Sequence, residues 1–124
     1  MLYAILCYDD EDVVCAWSKD QEDATMARLG AVEAKLAEAG RLGPVARLLP
    51  TTSAMTMRKN AGEPLVLDGP YAETKEQLLG FFVVDCDTLD DALATARELA
   101  RANLCTGSYE IRPLRLLRPG HLPA

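Results

Sequence analysis

Histidine is almost absent from this chain: the single one, His121, lies in a Pro- and Gly-rich tail. A nucleophilic cysteine is therefore left without the imidazole partner that activates it, and zinc without one of its usual ligands. The four cysteines, Cys7, Cys15, Cys86 and Cys105, stand far apart with no Cys-x-x-Cys pair. That spacing points to reduced thiols rather than a disulfide frame or a metal site. No run of apolar residues approaches the roughly 18 that read as a membrane-spanning helix. Positive charge is scarce as well. With a net charge of −6, the chain lacks the concentrated basic surface that binding to a nucleic-acid backbone requires. The opening MLYAILCYDDED has no basic residues ahead of its apolar run and meets four acids at once, so it is not expected to act as a signal peptide. Phosphate-binding loops, dinucleotide fingerprints and nucleophile elbows are missing too. These absences lead us to expect a cytoplasmic protein that needs no cofactor and no metal and has no nucleic-acid or membrane partner.

What remains is an ordinary soluble composition, 49% hydrophobic and 26% charged over 124 residues. That length suits one domain, residues 1–118, followed by a short tail, 119–124. LYAILCY, residues 2–8, reads as a strand that is apolar on both faces, and the acids at 9–12 read as a solvated loop. Ser18 and Gln21 have capping-box spacing, and Met26, Leu29, Val32 and Leu36 then mark one face of a helix ending at Gly40. Residues 41–49 read as an extended segment bent at Gly43-Pro44, and residues 53–68 as a hairpin. LLGFFVVDC, residues 78–86, is the strongest strand, with Gly80 marking a bulge or a close backbone approach. Thr88 caps a second helix with the face Leu89, Ala92, Leu93, Ala96, Leu99 and Ala100. A last strand runs from Ser108 to about Leu116. The order is βαββαβ with an inserted hairpin: an α+β, ferredoxin-like plan with two helices on one face of an antiparallel sheet.

LYAILCY, VLDGPYAETKEQLLGFFVVDCDTLDDALA and YEIRPL together resemble the YCII-related family, specifically its DGPF-domain branch. Tyr71 stands where that motif usually has phenylalanine. The resemblance implies a dimeric α/β barrel made from two ferredoxin-like chains. Related YCII proteins are thought to pair a histidine on the first helix with an aspartate, and this chain has no histidine before residue 121. The same resemblance implies a link to signalling through alternative sigma factors of the extracytoplasmic-function type.

Asp68 is the candidate catalytic residue. It ends a strand, and Gly69-Pro70 turns the chain sharply after it, so its carboxylate either bonds its own local N–H groups or faces a pocket as acid, base or anchor. Tyr71, Glu73 and Lys75 follow it closely, and Arg58 and Tyr8 complete the candidate ligand-binding set. Two functional readings stand. One is a cofactor-independent enzyme that acts on a small organic molecule with Asp68 as acid or base. The other is a non-catalytic ligand-binding or regulatory module.

Two helices cover only one side of the sheet, yet residues 2–8 and 78–86 are apolar on both. An uncovered face of that kind would be an apolar patch larger than monomers tolerate. We therefore expect a homodimer with a sheet-to-sheet interface of at least about 1,000 Å². Light scattering at micromolar concentration checks this, and a monomer would contradict it.

Overall fold

A computed structural model of the chain describes residues 1–104 and 106–123. Strand β1, Leu2–Asp9, lies at the centre of a four-stranded antiparallel sheet. Beside it run β5, Gln77–Asp85, on one side and β6, Ser108–Pro113, on the other, with β2, Leu42–Arg47, at the far edge. Ile5 stands opposite both Phe82 of β5 and Ile111 of β6, which fixes the register of the three strands. The sheet is open and does not close into a barrel, and its strand order is that of the ferredoxin-like plan. A separate two-stranded hairpin, β3 (Met55–Arg58) and β4 (Leu65–Asp68), is inserted after a short 3₁₀ turn at Thr51–Ser53.

Helix α2, Lys19–Glu38, begins with the capping box that the sequence announces. Ser18 Oγ accepts from Gln21 N at 3.1 Å, and Gln21 Oε1 accepts from Ser18 N at 2.8 Å, so two otherwise orphaned backbone donors are satisfied. Gly40, at φ 71°, turns the chain out of the helix into β2. Helix α3, Leu89–Ala102, starts on Thr88, whose hydroxyl accepts from Asp91 N. Both helices pack on the sheet face that carries Tyr3, Ile5, Phe82 and Val84, and this layer is the core. On the opposite face Leu2, Ala4, Leu6 and Phe81 are half-buried and Val83 is buried.

Three local expectations change. The acids at 9–12 do not form a solvated loop: Asp9 is buried and ends β1, Asp10 caps a short helix α1, Glu11–Cys15, and Glu11 grips Thr51. On α2 the buried positions are Thr25, Leu29 and Leu36, while Met26 is exposed at 36%. On α3 Thr95 and Ala102 are buried where Leu89 and Ala100 were expected. Threonine can take these places because its hydroxyl is satisfied there. Thr95 donates to Asp91 O at 2.9 Å and accepts from Arg41 Nη2 at 2.9 Å, and Thr25 accepts from Arg28 Nη2. Periodicity counts apolar residues only, so a hydrogen-bonded threonine escapes it.

Gly80 marks both features expected of it. The β1–β5 register moves between Cys7 and Tyr8, leaving Leu79 as the extra residue of a bulge. A Cβ on Gly80 would also meet Ala46 O at 2.5 Å, so β2 lies against β5 only because that Cβ is missing. Gly80→Ala should push β2 away and cost roughly 1–3 kcal/mol, as overpacking does elsewhere. Urea unfolding measures this, and an unchanged midpoint would refute the close-approach account.

Candidate functional site

Between the middle of α2 and the ends of the strands lies a cavity of about 130 Å³. Strand β1 supplies Cys7, Tyr8 and Asp9, β5 supplies Phe81 and Phe82 beyond the bulge, and Leu29 and Glu33 descend from α2. Trp17, just after α1, covers one side, while Asn103 at the end of α3 and Tyr109 on β6 line the other. The walls are mostly apolar and aromatic, with a few convergent polar groups, the usual make-up of a small-molecule site.

Asp9 is the carboxylate of this cavity, and only 5% of it is exposed. Alternation along β1 places it there: Tyr3, Ile5, Cys7 and Asp9 all point to the helix side, the first two into the core and the last two into the cavity. Its Oδ1 accepts from Asp10 N at 2.7 Å. No other partner, and no cation, bonds this side chain among the described residues. Gly107 closes over it at φ 126°, and a Cβ there would come within 2.9 Å of Asp9 Cγ and 2.4 Å of Tyr8 O. Glycine is thus required at 107 twice over, for its backbone conformation and for its closeness to the carboxylate.

Two ionisable groups near Asp9, Cys7 and Tyr109, are held neutral. Burial pushes the Cys7 thiol up to about 12, although its hydrogen bond with Tyr109 acts the other way. Burial likewise pushes the Tyr109 hydroxyl up to about 12, against the hydrogen bond from Asn103 and with smaller upward contributions from Cys7 and from the charge of Asp9. Asn103 Nδ2 donates to Tyr109 Oη at 3.2 Å, while its Oδ1 is fully buried and has no partner. Arg47 lines the cavity as well, but its guanidinium is taken by Glu22 Oε1 at 2.6 Å.

Of the residues singled out from the sequence, Tyr8 alone lines this cavity. Asp68 is exposed at the end of β4, on the hairpin, and its carboxylate makes no hydrogen bond among the described residues. The turn it was expected to fix is held by others: Gly69 N donates to Ala54 O at 2.8 Å, and Thr56 Oγ1 donates to Gly69 O at 2.8 Å. Tyr71 is 78% exposed and stacks under the Arg58 guanidinium, 5.7 Å from ring centroid to cation. Glu73 and Lys75 are exposed and line a separate polar depression beside Asp10, Glu11 and Thr51. The DGPYAETKE segment is thereby divided between two places, and its ionisable side chains do not line the cavity that Asp9 faces. Its tether to the sheet is Gln77, whose side chain donates to Ala72 O and Thr74 O, together with Glu76, which accepts from Ser108 Oγ at 2.7 Å.

Asp9, Asn103 and Tyr109 were missed because they lie 100 residues apart in sequence and meet only across β1 and β6. One signal was present: Asp9 falls on the buried parity of LYAILCYD. Among the described cysteines, Cys7, Cys15 and Cys86 are free thiols, and Cys7 and Cys86 act as small apolar residues, as expected of them. Cys105, expected to be free as well, lies outside the described residues.

A model of the YCII-related domain matches residues 1–118. An uncharacterised protein of Rhizobium meliloti (strain 1021) is similar over the whole length of both chains, with 61% identity across 124 residues.

The raised Cys7 and Tyr109 values imply a pH dependence of definite sign. Both groups are favoured neutral in the fold, so their stabilisation is complete below about pH 9 and is lost as the pH climbs toward 12, the unfolded chain giving up its protons first. Thermal melts should fall across that window, and Cys7→Ala with Tyr109→Phe should flatten the fall. A melting temperature that stays level from pH 9 to 12 would contradict the burial of both groups.

Proposed function

The chain belongs to the YCII-related family, and from that premise we propose that it binds a small organic molecule in the cavity beneath α2 and moves a proton to or from it through Asp9. The observation that carries this reading is a residue only 5% exposed whose carboxylate faces a mostly apolar cavity and makes no ion pair among the described residues. An unpaired buried carboxylate is expensive to maintain for stability alone, and such groups concentrate at working sites. Cys7 and Tyr109, held neutral by burial, are suited to donating hydrogen bonds to a ligand rather than to attacking it. The chemistry proposed is proton transfer without a cofactor, with Asp9 in the part first considered for Asp68. A hydrogen bond to Asp9 also orients a ligand that is bound without being transformed, so the non-catalytic module shares the same site.

The assembly proposed with this function is a homodimer. Supporting it are the half-buried outer face of the sheet and the hairpin, where Met55, Met57, Val66 and Leu67 are all exposed, Met57 at 63%. A second copy would cover both and would form the barrel that one open sheet does not.

Two variants separate the carboxylates. Asp9→Asn should weaken ligand binding or turnover at least about tenfold, the scale of a charge-assisted hydrogen bond, with the protein still folded by circular dichroism. Asp68→Asn should change binding and melting temperature little, because that side chain is exposed and makes no bond. If Asp68→Asn abolishes function while Asp9→Asn does not, the site lies on the hairpin and the cavity reading fails.

A further inference from the structure

Resting on the cavity as the binding site, we infer that its ligand is a small organic ammonium: a primary amine on an apolar or aromatic body of about benzene size. The polar groups around the cavity are unequal in kind. Asp9 has an oxygen without a partner, Asn103 Oδ1 is fully buried without a partner, and Glu33 forms no ion pair among the described residues. All three are acceptors. The only cation in the lining, Arg47, is already engaged by Glu22 at 2.6 Å. What the lining lacks is a free positive charge to set against these acceptors, and a protonated amine supplies one charge together with three N–H donors. A carboxylate or phosphate ligand would add like charge beside Asp9 in a poorly solvated space, where such contacts are costly.

The apolar lining agrees with this. Trp17, Phe82 and Tyr109 line the space, and aromatic faces attract cations as well as apolar bodies. The volume of about 130 Å³ is comparable with the roughly 150 Å³ apolar cavity that accepts benzene in another protein. The net charge of −6 favours approach of a cation over an anion. Depth adds a further distinction. Asp9 lies at the buried end of β1 and Glu33 on the half-buried side of α2, so the first would fix the ammonium and the second would attract it at the rim.

Three probes of one shape and different charge test the assignment by calorimetry on the full chain: benzylamine, benzyl alcohol and benzoate. Benzylamine should bind at least about tenfold more tightly than benzyl alcohol, and benzoate should give no detectable heat. Asp9→Asn should erase the preference for the amine by weakening benzylamine at least about tenfold more than benzyl alcohol. Should Asp9→Asn fail to fold, Glu33→Gln supplies the second arm and should reduce the amine's advantage several-fold without altering alcohol binding. Benzyl alcohol or benzoate binding as tightly as benzylamine would overturn the ammonium assignment and leave the cavity as a binding site. No binding by any of the three would overturn both.

Discussion

Strand β1 is the element on which everything else in this protein leans. It is hydrogen-bonded to β5 and to β6, so its side-chain alternation sets the faces for the whole sheet. Tyr3 and Ile5 commit one face to the helices, and the two following residues on that parity, Cys7 and Asp9, must then enter the space under α2. A slip of one residue would bury Leu2, Ala4, Leu6 and Tyr8 instead and turn Asp9 away from the cavity. The bulge at Leu79 lets β5 stay paired to the end of β1, bringing Gln77 opposite Asp9, while Leu79 O accepts from Leu48 N and ties the chain beyond β2 to the same spot. Core packing and site geometry are thus consequences of one register.

The acidic run after β1 shows how four neighbouring residues of one charge take four different tasks. Asp9 lines the cavity, Asp10 accepts from Asp12 N as the cap of α1, Glu11 accepts from the backbone and hydroxyl of Thr51, and Asp12 sits in the first turn of the helix. Negative charge at a helix N-terminus is favourable, which makes α1 tolerable in spite of its shortness. The link from Glu11 to Thr51 also secures the start of the hairpin insertion to α1. Charge repulsion along the run is relieved because Asp9, Asp10 and Glu11 each accept from a different donor, and the second oxygen of Asp9 is left for whatever enters.

The DGPYAETKE string is rigid for reasons unlike those its composition suggests. Gly69 at φ 105° and the bonds from Thr56 and to Ala54 make the turn, while Gln77 and Glu76 fasten the far end to the sheet. Its ionisable side chains face solvent, where pairs such as Arg58 with Tyr71 contribute on the order of 0.5–1 kcal/mol. Charges of both signs beside a strong strand can therefore accompany a surface arm as readily as a pocket rim. The apolar residues of that arm, exposed on both of its faces, have no counterpart within one chain.

The sequence by itself determined the order of elements, the two capped helices, the edge position of the strands carrying Pro44 and Pro113, and the hairpin, because each follows from local patterns of period 2 or 3.6 and from short capping and turn motifs. It determined as well that Gly80 would be a place of close approach. Only the tertiary structure decided which residues line the cavity. Asp9, Asn103 and Tyr109 share no local motif and meet through the pairing of β1 with β6 and the return of α3, so nothing in their spacing along the chain announces them. The same holds for Thr95, whose hydroxyl is shared with Arg41 arriving from 54 residues away. Asp68, conspicuous in sequence, is exposed because burial is a property of neighbours in space, and the hairpin that carries it lies outside the four-stranded sheet.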